Sequence, residues 1–133
     1  MRHDKPFPPR LDCLSVAQQF FEEWVATADP ARESLWVVHV DEQGNCLHVA
    51  RYQGDETSAP VPLKKIVSDA LEHETAGILL AHNHPGGQTH PSMADLRVTR
   101  YLASCMAALD CAVLDHLIFA GAECTSFREK GLL

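Results

Sequence analysis

Positive charge is scarce in this chain. Eleven Lys and Arg stand against eighteen Asp and Glu, a formal net charge of −7. Non-specific nucleic-acid binding works by neutralising phosphates with Lys and Arg, so this balance argues against it as the main activity. Only a local basic patch is open, from Lys64, Lys65, Arg97, Arg100, Arg128 and Lys130. Long apolar runs are also missing. Stretches such as Ile78 to Ala81 fall far short of the ~18–20 residues of a membrane span, and the first ten residues have no apolar core for a secretory signal. The expectation is a cytoplasmic protein with no membrane partner. The five cysteines (Cys13, Cys46, Cys105, Cys111, Cys124) are odd in number and scattered, with no C-x-x-C pair. That pattern points away from a disulfide framework or a zinc ribbon and towards reduced, mostly buried thiols.

What is present is an ordinary globular balance, 46% hydrophobic and 22% charged over 133 residues, which suits one compact domain. Residues 1–11, rich in proline, read as an extended N-terminal arm, and 12–133 as the folded domain. Ser15-x-x-Gln18 is a capping-box pattern opening a helix whose face is Ala17, Phe20, Phe21, Trp24 and Ala28. Ser34 to Asp41 reads as a buried strand, Glu42 to Asn45 as a turn, and Cys46 to Gln53 as a hairpin partner. A polar loop, 54–60, precedes a helix with Pro62 in its first position and a stripe of Leu63, Ile66, Val67, Ala70 and Leu71. Ala76 to Ala81 has the two-sided apolar character of a central strand. Met93 to Leu109 reads as a helix with the stripe Val98, Leu102, Cys105 and Leu109, followed by strands at Ala112–Ala120 and Cys124–Phe127. The order αββαβαββ describes a single α/β domain, a mixed sheet flanked by helices in three layers.

The chemistry lies in the segment Ala81-His82-Asn83-His84-Pro85-Gly86-Gly87, which continues to Pro91-Ser92-Met93-Ala94-Asp95. Two histidines end the central strand, where open α/β sheets place their sites. Imidazole nitrogens suit Zn²⁺, and a catalytic site needs a third protein ligand and one open position. Asp95 precedes Val98 and Leu102 by three and seven residues, so it lies on the inward side of its helix. A carboxylate there is costly unless paired or metal-bound. Ser92-x-x-Asp95 is equally an ordinary capping box, and on that reading Asp95 serves only the helix N-terminus. His116 reads as a core histidine, His90 as an exposed loop residue, and Arg97 and Arg100 as a solvated face. His3, His39, His48 and His73 show no ligand spacing. Trp24 and Trp36 read as core.

His82-x-His84-Pro85, then Ser92 and then Asp95, with ten residues between His84 and Asp95, resembles the JAMM metal signature of the JAB/MPN metalloprotease fold. The fuller string through Thr99, together with Leu114-Asp115-His116-Leu117-Ile118 and the ending Ser126-Phe127-Arg128-Glu129-Lys130-Gly131-Leu132-Leu133, is similar to the RadC branch of that fold. The resemblance covers roughly residues 12–133. It implies a JAB/MPN-like, cytidine-deaminase-like architecture and Zn²⁺ held by His82, His84 and Asp95. It also implies an upstream glutamate acting as acid/base, a place that Glu33 occupies just before Ser34, with Glu42, Glu56, Glu72 and Glu74 as substitutes. Ser92 is implied as the donor to the oxyanion. Gly86-Gly87 departs from the Ser-Gly common in RadC relatives. Such proteins usually carry a longer N-terminal region with a helix-hairpin-helix-like module. No such module is read in these residues, so the expectation is weak DNA binding by this chain alone. The implied function is a zinc-dependent hydrolase cleaving an amide or isopeptide bond in a peptide or protein substrate. The alternatives are a RadC-type DNA repair-associated factor and a non-catalytic, metal-stabilised interaction module.

Overall fold

The computed structural model describes residues 14–54 and 61–133. The arm read at residues 1–11, and with it Cys13, His3 and Glu56, lies outside the described residues. The elements run α1 Leu14–Thr27, β1 Ser34–Val40, β2 Cys46–Gln53, α2 Leu63–Glu72, β3 Gly77–Asn83, α3 Met93–Ala107, β4 Ala112–Ala120 and β5 Glu123–Ser126. The strands form one sheet in the order β2-β1-β3-β4-β5. β3 and β4 pair in parallel across the α3 crossover, and every other neighbouring pair is antiparallel. The result is a three-layer α/β domain with a mixed sheet, as the sequence pattern and the family resemblance led us to expect.

The layers follow from the period-2 alternation of strand side chains. On one face Trp36 and Val38 of β1, Leu79 and Ala81 of β3, and Leu117 and Phe119 of β4 pack on Ala17 and Phe21 of α1. On the other face Leu35, Val37, Ile78 and Leu80 pack on Ile66 and Ala70 of α2 and Leu102 and Met106 of α3. β1 and β3 are buried along their whole length, which explains their near-continuous apolar sequence. No helix of the described residues is long and apolar enough to cross a membrane.

Several boundaries differ from the sequence reading. The first helix already includes Leu14, so Ser15 sits inside its first turn and not at its cap. Pro62 is the N-cap of α2 and not its first helical residue, because its ψ of 77° takes it out of the helical region. Leu71 is 62% exposed, whereas Asp69 is buried, held by Lys65 Nζ at 3.1 Å and His48 Nε2 at 3.3 Å. In α3 the buried line is Thr99, Leu102 and Met106, and Val98 and Leu109 are more than a third exposed. The helix stops at Ala107, and Asp110 turns left-handed (φ 55°) so that the Cys111 N–H closes back onto the Met106 carbonyl. Asp41 leaves β1 because its Oδ1 accepts from the Gln43 and Asn45 amides and builds the hairpin turn. β5 is Glu123–Ser126, and Phe127 is fully buried just beyond it.

One irregularity decides what faces the functional end. Ile78 pairs with Val113 but Leu79 pairs with Asp115, so Leu114 is an extra residue in β4. This bulge reverses the alternation after it. Asp115 turns towards the α1 layer, and His116, opposite Leu80, turns towards α3. Gly77 makes room for the bulge, since a Cβ on it would lie 2.9 Å from Leu114 Cδ1.

Candidate metal centre

Continuing the alternation Ile78, Leu80, His82, the last turns of β3 send the His82 ring under the start of α3. His82 is 4% exposed, and its Nε2 is buried without a hydrogen-bond partner. That nitrogen lies 3.6 Å from Asp95 Oδ2 and 3.6 Å from Glu33 Oε1. His84 follows one residue after the strand, and its Nε2 lies 3.1 Å from Asp95 Oδ2. Its Nδ1 donates to the Gln88 carbonyl at 2.7 Å, which leaves Nε2 as the nitrogen that faces Asp95. The loop that returns to accept this bond turns at Gly87, whose φ of 79° suits glycine.

α3 presents Asp95 by way of its own cap. Ser92 Oγ accepts from the Asp95 N–H at 3.0 Å, and Asp95 Oδ2 accepts from the Ser92 N–H at 2.9 Å. The capping box and the inward carboxylate are therefore one arrangement: the cap fixes the rotamer that aims Oδ2 at the two imidazoles. Burial alone would raise the Asp95 carboxyl, but the facing His82 and His84 imidazoles and the bond from the Ser92 amide hold it well below the usual range. The same contact with Asp95 raises the His84 imidazole against the opposing effect of burial.

Glu33 arrives from the other side. Asn83, the last residue of β3, accepts from the Ser34 N–H at 2.7 Å and donates to the Arg32 carbonyl at 2.9 Å. The Gly54 N–H bonds the Glu33 carbonyl at 3.0 Å. Three backbone positions around Glu33 are thus tied down, and its carboxylate projects over His82. Ligand atoms of Glu33, His82, His84 and Asp95 all lie within 4.8 Å of one another. A cavity of about 520 Å³ opens beside them, lined in part by Gly86, Gln88 and Ser92 and by the apolar Leu35, Val61 and Val98.

An orphaned, buried imidazole nitrogen facing two carboxylates and a second imidazole is a donor set that fits a divalent metal.

Residues 12–132 match the RadC-like JAB domain. The chain belongs to that family. Similar curated proteins include a UPF0758 protein of Vibrio atlanticus, 36% identical over 104 residues, covering 77% of this chain and 46% of the relative. A UPF0758 protein of Cellvibrio japonicus is 38% identical over the same shares. A third UPF0758 protein, from Photobacterium profundum, is 39% identical over 106 residues, 79% of this chain and 47% of the relative. The chain thus spans about half the length of these relatives.

Around the His82, His84, Asp95 and Glu33 cluster of this RadC-like domain stand residues whose part the sequence reading did not assign. His116, read as a core histidine, is buried but contacts the site directly: its Nε2 lies 2.6 Å from His82 Nδ1, and its Nδ1 lies 2.7 Å from Thr99 Oγ1. Burial, then the neighbouring His82, keeps the His116 imidazole well below its ordinary range and hence neutral. Only the β4 bulge brings it to this layer, and no spacing in the sequence marks that. His90, Arg97 and Arg100 are exposed, as read. The structure also joins three histidines that show no ligand spacing. His39 and His48 are cross-strand partners with ring centroids 5.4 Å apart, and His73 stacks on His48 at 4.4 Å. This group lies at the far end of the same sheet face, four residues along β1 from Leu35, the partner of His82.

Proposed function

We propose that this domain is a zinc-dependent hydrolase that cleaves an amide or isopeptide bond in a peptide or protein substrate. The observation that carries the reading is the orphaned Nε2 of buried His82, met by His84, Asp95 and Glu33 from three separate segments. His82, His84 and Asp95 are the proposed ligands. When bound there, Zn²⁺ supplies a Lewis acid and lowers the pKa of coordinated water to ~7.

The chain's own residues account for the rest. Glu33, 14% exposed and 3.6 Å from the ligand nitrogen, takes a water proton and carries it to the leaving amine, a task closed to histidines that ligate metal. Ser92 Oγ uses a lone pair in the helix cap, so its hydroxyl hydrogen remains to be donated to an oxyanion in the cavity. The apolar lining residues Leu35, Val61 and Val98 suit an apolar side chain next to the scissile bond. A net charge of −7 disfavours a phosphate backbone as substrate. The unpaired Cys46, Cys105, Cys111 and Cys124 suit the reducing cytoplasm.

The test is elemental analysis of protein purified without chelator, followed by hydrolysis assays on an amide and isopeptide panel. About one Zn²⁺ per chain is expected, in keeping with a three-ligand site, with loss in His82→Ala and Asp95→Ala. Full metal in both variants would remove the basis of the reading. Metal without hydrolysis would favour a metal-stabilised interaction module.

A further inference from the structure

The pair of contacts behind His82 has a property that an ordinary supporting hydrogen bond lacks. At 2.6 Å, one hydrogen lies between His82 Nδ1 and His116 Nε2, because two N–H groups or two lone pairs would repel there. With both imidazoles neutral, two proton arrangements satisfy the row. In the first, His82 Nδ1–H donates to His116 Nε2, and His116 Nδ1–H donates to Thr99 Oγ1, leaving His82 Nε2 bare. In the second, every bond is reversed: Thr99 O–H donates to His116 Nδ1, His116 Nε2–H donates to His82 Nδ1, and His82 Nε2 carries the hydrogen. Only the first can ligate a metal. The second presents an N–H to the carboxylates of Glu33 and Asp95, each 3.6 Å away. A hydroxyl serves both arrangements, because it accepts in one and donates in the other.

We propose that Thr99 and His116 form a proton-ordering relay in which each imidazole keeps one hydrogen and the Thr99 hydroxyl rotates, without losing its own, to match His82 as either a metal-free or a metal-ligating tautomer. The inference rests on the metal reading above and gives Thr99 a positioning role two hydrogen bonds from the ligand atom. All three members are buried, His82, His116 and Thr99 at 4%, 5% and 1% exposure, so water cannot replace the hydroxyl. Thr99 lies one helical turn beyond Asp95 on the same face of α3, so one helix sets both the carboxylate ligand and the end of the relay. The β4 bulge supplies the middle member.

Thr99→Val keeps the side-chain shape and removes the acceptor. His116 Nδ1–H is then buried without a partner in the ligating arrangement, whereas the reversed arrangement leaves only a bare lone pair, the lesser defect. Metal affinity is expected to fall about 10–100-fold, the range usual for partners behind a ligand. Thr99→Ser, which keeps the hydroxyl, is expected to restore it. The measurement is the dissociation constant for Zn²⁺ by chelator competition, with the Co²⁺ visible spectrum as a second readout and melting in excess chelator reporting the fold. NMR of the imidazole nitrogens is expected to place the His116 hydrogen on Nε2 in metal-free protein and on Nδ1 after loading. Unchanged affinity in Thr99→Val, with only a lower melting temperature, would reduce Thr99 to a structural role and overturn the relay while leaving the metal site intact. A wild-type chain that takes up no metal would overturn both.

Discussion

Acid should unfold this domain through a histidine remote from the candidate site. His39 is fully buried near the end of β1, its Nδ1 bonded to Thr75 Oγ1 at 3.0 Å and its Nε2 without a partner. Burial first, then the nearby His48 and, more weakly, His73, lower its pKa from 6.5 to about 4, against the pull of Asp69 on α2. Lys65, paired with Asp69, adds positive charge to the same surroundings. An unfolded chain takes up the His39 proton below pH ~6.5, whereas the folded one takes it up only below about 4. The contribution is therefore complete above pH ~6.5, is lost progressively as pH falls from there to about 4, and changes no further below. At about 1.4 kcal/mol per unit this is about 3 kcal/mol, a large part of the 5–15 kcal/mol typical of a domain. Urea unfolding in chelator at half-unit pH steps measures it. His39→Leu is expected to flatten the curve between pH ~6.5 and 4 even if it is less stable at neutral pH. An equally steep acid loss in that variant would refute the assignment and move the effect to His73 or His116, whose pKa values are also lowered.

Glu33→Gln is expected to retain both fold and metal while lowering hydrolysis by ~10²–10⁴-fold, as removal of a positioned acid/base does. Equal activity in the variant would assign the proton transfer elsewhere. Gly77→Val forces Cβ and a branched side chain against Leu114 and should cost about 1–3 kcal/mol in chemical denaturation, the usual range for overpacking. A neutral result would mean that the bulge relaxes freely. Duplex DNA should bind no more tightly than ~10⁻⁴–10⁻⁶ M at physiological salt, because the chain carries a charge of −7. Nanomolar binding by fluorescence anisotropy would favour the repair-factor alternative.

Much of the fold was legible because its signals are local. Strand composition marked β1, β2 and β4, and the pair His82 and His84 at the end of an apolar strand marked the candidate site. The phase of α3 was misjudged because Val98 and Leu109 are apolar yet partly exposed, whereas the polar Thr99 is buried against a histidine. Hydropathy ranks those residues in the wrong order when a hydrogen bond decides burial. The Leu114 bulge leaves no trace in composition, so strict alternation would have turned His116 to the α1 side. His39, His48 and His73 illustrate the same blindness at longer range, because hairpin register and the end of α2 bring them together.

Asn83 ties the backbone on both sides of Glu33 to the strand that carries His82. Its two partners lie 49 and 51 residues earlier in the chain, so neither bond can form until β1 has zipped against β3 in the final register. A slip of one residue between these strands would turn His82 to the opposite face and uncouple Asn83 from Arg32 and Ser34 in the same movement. Half-correct pairings therefore have no half-built site: the carboxylate and the imidazoles come into range together or not at all. Misregistered chains, which can look well folded by helix content or compactness, would be silent at this centre. The centre thus acts as a proofreading mark for the sheet, readable by anything that senses all four side chains at once.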